Sequence, residues 1–111
     1  MAVLFIDPGE LRTELSLETC TATADGLGGF AETWVETATL FARIEPVSAE
    51  NVYGADQTLE SVTHRIMLRR REGVSSGMRF NRNGRIFVIL TVHDPDESGR
   101  YLVCKVKEKG A

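Results

Sequence analysis

The chain has 111 residues, of which 42% are hydrophobic and 26% are charged. This length and composition are typical of one soluble globular domain, so we expect a single domain over residues 1–111 and exclude wholesale disorder. The opening apolar run ends at Asp7 and Pro8 after six residues, so we expect neither a signal peptide nor a membrane span. The two cysteines form no CxxC motif, and we expect both to be reduced thiols.

The formal net charge of −3 conceals an uneven distribution of charge along the chain. Residues 1–60 contain eleven acidic and two basic residues, whereas residues 61–111 contain five acidic and eleven basic residues. The acidic balance disfavours a general nucleic-acid binder, which would carry a net positive charge. Two interpretations remain open: copies of the protein dock with acidic against basic surfaces, or the two halves interleave in one fold and mix the charges.

Alternation of apolar and polar residues predicts two strands in the first half of the chain. The first strand covers residues 11–19, where leucines alternate with polar residues. The second strand begins near Trp34 and ends at Pro46, because proline cannot donate a hydrogen bond to a neighbouring strand.

Residues 47–60 break this alternation and predict a short helix between the second and third main strands. Ser48 is a suitable N-cap, and Val52 and Leu59 lie at helical spacing. Gly54 costs about 1 kcal/mol relative to alanine inside a helix. We therefore expect a weak helix that depends on its contacts for order.

The second half of the chain predicts further strands at residues 61–71, 78–81, 86–92 and 101–107. Asn83 and Gly84 can both take positive φ and predict a tight hairpin turn between the second and third of these strands. The fold class is therefore mainly β, a small antiparallel barrel or sandwich of five to six strands with one short helix.

The stretch TATADGLGGFAETW at residues 21–34 raises the question of a phosphate-binding loop. Such a loop needs a strand before it, a helix after it and, in the P-loop, a lysine beside the phosphates. Here a strand follows the glycines, and the first lysine of the chain is Lys105. We therefore interpret Gly26, Gly28 and Gly29 as residues that allow positive φ in a connection between two strands.

The chain offers few residues for catalysis or metal binding. His64 shares an apolar strand face, which is typical of a hydrogen-bonded core histidine, and His93 stands beside Asp94 without a third ligand at a recognisable spacing. The acidic residues of the segment 94–99 are typical of a turn. We expect no enzymatic activity, no metal site and no cofactor.

Seven of the thirteen basic residues are arginines between Arg65 and Arg85, a residue type able to fork onto phosphates. This supports an alternative function, a small nucleic-acid-binding (OB-like) β-barrel. Such a barrel would also present aromatic side chains for base stacking, and this region offers only Phe80 and Phe87. Strand alternation would send Arg70 to the opposite face from its two arginine neighbours, which favours a solvated strand edge or a subunit contact.

Six segments of the chain occur in the order seen in a known family: GELR, DGLGGFAETW, ATLFARIEPVSAEN, VTHRIMLRRREGVSSGMRF, NGRIFVI and DPDESGRYLVCKV. Together they resemble the phage head-tail joining proteins, also called stoppers or head-completion proteins, which occur in tailed phages, prophages and gene transfer agents. The resemblance extends from about Gly9 to Val106. The chain departs from the family pattern at Thr13 and Glu14, where a basic residue is frequent.

The resemblance implies a small β-barrel that forms a homo-oligomeric ring of six or twelve copies in the virion neck, assembled in the bacterial cytoplasm. The portal or adaptor ring would lie on the head side, and the tail terminator or tail on the other side. DNA would pass through the channel without sequence-specific binding, and the ring would help to retain packaged DNA until ejection. No membrane contact is implied.

The resemblance also implies two candidate sites, and the arginines give a third. Part of the segment 46–59 would face the channel, with the candidate residues Ser48, Glu50, Asn51, Tyr53, Asp56 and Gln57. The glycine loop would contact a neighbouring ring through Asp25, Gly26, Leu27, Gly28, Gly29 and Phe30. We expect Arg65, Arg69 and Arg71 to contact neighbouring subunits.

Overall fold

The computed structural model describes residues 8–53 and 59–110. These residues form a short 3-10 turn at Pro8–Glu10 and six strands: β1 Thr13–Ala24, β2 Phe30–Tyr53, β3 Leu59–Arg69, β4 Arg79–Arg82, β5 Arg85–His93 and β6 Tyr101–Glu108. All neighbouring strands are antiparallel, and the order β1-β2-β3-β6-β5-β4 closes into a barrel. The prediction of a small antiparallel β-barrel is confirmed for this part of the chain.

The barrel core is built from the residues that alternation placed on one face of each strand. Leu15 and Leu17 of β1 and Ile66 of β3 are fully buried. Phe80 of β4 lies opposite Phe87 of β5, and neither side chain is exposed to solvent. Burial of one such side chain contributes about 1.5–3 kcal/mol, so this aromatic pair adds several kcal/mol to the stability of the core.

β1 and β2 continue beyond the barrel as a two-stranded ribbon. β1 pairs with β4 only through residues 16–18, and β2 pairs with β3 only from Ala42 onwards. Within the described residues, the segments 19–24 and 30–35 therefore pair only with each other. We call this ribbon, with its turn at residues 25–29, the first arm. At about 3.3 Å per residue it extends roughly 20 Å, in keeping with a molecule that measures 53 × 28 × 25 Å.

A second hairpin forms where we expected a helix. β2 passes through Pro46 and continues to Tyr53, and a bulge between Pro46 and Glu50 accommodates the proline without breaking the strand. Residues 50–53 pair with residues 59–62 of β3, and we call these residues, together with the bulge at residues 47–49, the second arm. The helix prediction is wrong for residues 47–53 and 59–60, and residues 54–58 lie outside the described residues.

Cross-strand pairing explains why the helical spacing was misleading. Within the second arm the Ser61 hydroxyl donates a hydrogen bond to the Asn51 side-chain oxygen at 3.1 Å. Tyr53 pairs with Leu59 at the end of this ladder. Aromatic and β-branched residues favour strands when a partner strand is present, and the helical pattern rested on only a few apolar positions. No helix among the described residues has the length and hydrophobicity that a membrane crossing requires.

The two predicted turns are confirmed. Asn83 and Gly84 take φ values of 50° and 89°, and the hairpin joins β4 to β5. In the turn before β6, the Asp94 carboxylate accepts hydrogen bonds from the backbone N–H groups of Asp96 at 3.1 Å and Gly99 at 2.7 Å. The acidic side chains of this turn therefore organise its backbone.

The acidic and basic halves of the chain interleave in the fold. Among the described residues, four ion pairs join a carboxylate from the first half of the chain to a cation from the second half: Arg65 with Glu45, Arg79 with Glu18, Lys105 with Glu50 and Lys107 with Glu60. Part of the charge division is thus compensated inside one copy. Docking of an acidic surface on one copy against a basic surface on another stays a prediction. It would use charged side chains that take no part in these four ion pairs.

Candidate docking surfaces

Asp25 organises the backbone at the tip of the first arm. Its carboxylate accepts hydrogen bonds from the N–H groups of Leu27 at 2.8 Å and Gly29 at 3.1 Å. Gly26 and Gly28 take φ values of 80° and 85°, which glycine adopts without strain. The expected positive φ is confirmed for these two glycines and is wrong for Gly29, whose φ lies outside that region. Two of the N–H groups that this loop could offer to a phosphate, those of Leu27 and Gly29, are donated to the carboxylate of Asp25.

The tip carries two apolar side chains into solvent. Leu27 is 90% exposed and Phe30 is 74% exposed. A firmly hydrogen-bonded turn that presents large apolar groups is typical of a protein contact site. The glycine loop predicted to contact a neighbour therefore has suitable chemistry for that role.

The two faces of the first arm differ in character. Alternation and register place on one face Phe30, Glu32 and Trp34 opposite Ala24, Ala22 and Cys20, and on the other face Ala31, Thr33 and Val35 opposite Thr23, Thr21 and Thr19. The first face is apolar with one carboxylate, and the second is rich in threonine. We call the first of these the apolar face of the arm.

A cluster of side chains fastens the first arm to the barrel. The Arg79 guanidinium donates to the Glu18 carboxylate at 2.6 Å and lies over the Trp34 ring at 4.2 Å from its centroid. The Asn81 amide donates to the other oxygen of Glu18 at 3.3 Å. Both members of the ion pair are largely buried, so the contact is shielded from solvent. We call Glu18, Trp34, Arg79 and Asn81 the arm clamp.

Three consecutive arginines lie together at the end of β3. A groove of about 380 Å³ is lined by Leu11, Leu40, Phe41, Leu68, Arg69, Arg70 and Arg71, and we call it the arginine groove. The expectation that alternation would separate Arg70 from its neighbours is wrong, because β3 ends at Arg69 and the next two residues are not in a strand. Leu11, Leu40 and Leu68 are buried and form an apolar floor, while Phe41 is largely exposed.

Arg65 lies on a different surface from Arg69 and Arg71. Its guanidinium binds the Glu45 carboxylate at 2.9 Å, and Arg43 binds the same carboxylate at 3.3 Å. These side chains border a pocket of about 280 Å³ together with His93 and Lys105. The structure therefore divides the three arginines predicted as subunit contacts between two places.

The predicted channel-facing residues lie on the second arm where the structure describes them. Ser48, Asn51 and Tyr53 are exposed. Glu50 pairs with Lys105, and the hydrogen bond from the Lys105 ammonium holds the pKa of the Glu50 carboxyl below its usual value. Two further candidates, Asp56 and Gln57, lie outside the described residues.

The histidines have structural contacts. The His64 ring meets the Phe87 ring edge-on, with centroids 5.3 Å apart, and its Nδ1 lies 2.9 Å from the Thr63 hydroxyl oxygen. His93 is exposed at the end of β5. No group of three or more His, Cys, Asp or Glu side chains in residues 8–53 and 59–110 is arranged to hold a metal ion.

Sequence reasoning missed the arm clamp and the arginine groove. Glu18 and Arg79 are far apart in the sequence and meet only because β1 pairs with β4. The groove combines β2, the end of β3 and the segment before β1. The run of three arginines was the available signal, but its geometry depended on where β3 ends.

The chain is similar to a known protein family and to solved structures of two other proteins. Residues 6–109 match a family model described as phage head completion protein. A chain from the structure titled "Virion of native gene transfer agent (GTA) particle" has a TM-score of 0.68 and 29% identity, over 91% of this chain and 97% of that chain. The solution structure of protein SF1141 from Shigella flexneri 2a has a TM-score of 0.68 and 25% identity, over 95% of this chain and 98% of that chain. No curated protein matches the chain significantly.

Proposed function

The chain belongs to the phage head completion proteins, and on that premise we propose that it forms a ring in the virion neck, between the portal or adaptor ring and the tail. The match over residues 6–109 carries this proposal, and the likeness to a chain of a gene transfer agent virion supports it. The family is one of structural virion components, and the proposed role includes no catalytic step, cofactor or metal.

The arrangement of the arms supports a place between several partners. A ring subunit must contact its two neighbours in the ring and the layers above and below. The two arms extend from the two ends of β2. Each arm carries exposed apolar side chains, Leu27 and Phe30 on the first and Tyr53 and Leu59 on the second. One copy thus offers at least two contact surfaces beyond its barrel.

The charge of the second arm supports a position beside moving DNA. Residues 46–59 contain no lysine or arginine, and cationic side chains would bind passing phosphates. Glu50 and Glu60 also pair with Lys105 and Lys107 of β6, which reduces the positive field next to the arm. We therefore assign the second arm to the channel wall, where it helps to retain packaged DNA until ejection.

Deletion of the gene from a producing strain tests the neck role. We expect DNA-filled heads that leak DNA and carry no tails, when counted by electron microscopy and assayed with nuclease. Expression of the intact gene in trans should restore tailed particles. Normal tailed particles from the deletion strain would overturn the proposal.

The channel position is tested by adding positive charge to the second arm. Ser48→Lys with Asn51→Lys should slow DNA ejection from assembled particles, because two new cations would bind passing phosphates. The matched control is Ser75→Lys with Ser76→Lys, which adds the same charge at two exposed positions outside both arms. Equal ejection rates for both variants would remove the second arm from the channel wall.

A further inference from the structure

The arginine groove carries positive charge without a partner among the residues that the structure describes. Arg69, Arg70 and Arg71 have no acidic partner within residues 8–53 and 59–110. They line the groove together with its apolar floor of buried leucines, and the exposed Phe41 is also part of the lining. A complementary ligand would carry negative charge beside apolar side chains.

The first arm has this complementary chemistry. Residues 19–35, which form the arm, contain two acidic residues, Asp25 and Glu32, and no basic residue. The apolar face of the arm combines Phe30 with the carboxylate of Glu32, and Leu27 stands beyond them at the tip. An isolated two-stranded ribbon is marginally stable in water, so the arm gains most from a partner that covers this face.

An arm does not reach the groove of its own copy. Phe30 at the tip and Phe41 at the groove lie on the same strand, separated by roughly 35 Å at about 3.3 Å per residue. The occupant must come from another molecule. Because the first arm and the groove are different surfaces, a series of such contacts from copy to copy is head-to-tail, the type of contact that forms a ring when its rotation closes.

We propose that the first arm of each copy docks with its apolar face in the arginine groove of the next copy in the ring. The proposal rests on the proposed ring and identifies the contact between neighbouring copies in it. It also assigns the tip, Asp25 to Phe30, to a neighbour within the ring and not to a neighbouring ring. Leu27 and Phe30 cover the apolar floor, and Glu32 meets the arginines.

Charge exchange between the two surfaces tests the contact. The groove variant is Arg69→Glu with Arg71→Glu, and the arm variant is Ala22→Lys with Glu32→Lys, two exposed neighbours on the apolar face. Each variant is supplied in trans to the deletion strain. Like charges placed across an interface oppose association, so each variant alone should lower the yield of tailed particles by about tenfold or more.

Combining the two variants distinguishes a direct contact between arm and groove from other reasons why each variant alone could lower the yield. A chain with all four substitutions, or a mixture of the two double variants, again sets opposite charges against each other and should recover most of the yield. The matched controls are Arg82→Glu and Glu14→Arg, exposed charges on the barrel away from the groove, which should leave the yield unchanged. Melting temperatures of the purified variants show that each one folds.

Three results would overturn the docking. They are a normal yield from either double variant alone, a failure of the combinations to recover, and binding of single-stranded DNA by the wild-type protein at about 50 mM salt that the groove variant abolishes. The last result would assign the groove to nucleic acid. None of these results affects the neck role, because the deletion experiment tests that role separately.

Discussion

β1 and β2 take part in both the barrel and the first arm, but their surroundings differ between the two regions. In the barrel, β1 and β2 have neighbours on both edges and bury one face in a core. In the arm, the same strands pair only with each other within the described residues, and the side chains from Thr21 to Leu27 are all exposed. The barrel contains the buried core, and our proposal assigns the contact with a neighbouring copy to the arm. The arm clamp connects the two regions.

The two cysteines give the sharpest test of this comparison, because Cys20 lies in the arm and Cys104 in the barrel. Burial raises the pKa of the Cys104 thiol to about 12, and only a thiolate reacts with an alkylating reagent. With iodoacetamide at about pH 8, we expect one adduct per native chain, at Cys20. Cys104 should react several orders of magnitude more slowly, at the rate of barrel opening, as mass spectrometry would show. Equal labelling of both thiols would mean that the barrel opens as readily as the arm.

Replacing one phenylalanine in each region compares what the two regions contribute to the free energy of unfolding. Phe80→Ala should reduce the free energy of unfolding by about 3–5 kcal/mol, because it leaves a cavity beside Phe87 in the core. Phe30→Ala, in the exposed arm, should change it by no more than about 0.5 kcal/mol. Urea denaturation followed by circular dichroism measures both values. Similar losses for the two variants would contradict the division into a stabilising barrel and a contact arm.

The arm clamp should have an intermediate effect. Glu18→Ala removes the partner of the partly buried Arg79 and one hydrogen bond from Asn81, so we expect a loss of about 1–3 kcal/mol. Glu45→Ala breaks more exposed ion pairs with Arg43 and Arg65 and should cost less than about 1 kcal/mol. Hydrogen exchange should show faster exchange in residues 19–24 and 30–35 for Glu18→Ala alone. Unchanged exchange there would remove the clamp as the support of the arm.

Leu27→Ser should have the smallest effect on stability. Leu27 is almost fully exposed and makes its hydrogen bond to Asp25 through the backbone, so unfolding should change by less than about 0.5 kcal/mol. The same substitution should lower the yield of tailed particles, since the tip loses apolar contact area with its partner. An unchanged yield would show that Leu27 takes no part in assembly.

The sequence by itself determined the β class, the turn chemistry and the core. Alternation of apolar and polar residues identified β1 and β2, because opposite faces of a sheet meet different environments. Burial does not alternate in β5 and β6, where Ile89 and Leu90 and all residues from Tyr101 to Cys104 are buried. Asn83 and Gly84 identified their turn because positive φ is restricted to a few residue types. Six segments in order also pointed to the head completion family, which the match over residues 6–109 confirms.

Only the tertiary structure decided where strands end and which distant residues meet. β2 passes Pro46 because a bulge and a partner strand accept the proline, and the predicted helix gives way to pairing with β3. Arg70 joins Arg69 and Arg71 because β3 stops before it. Glu18 finds Arg79 only through the closure of β1 on β4. Local propensity is worth a few tenths of a kcal/mol per residue, and cross-strand pairing over a whole ladder outweighs it with contacts that no local pattern specifies.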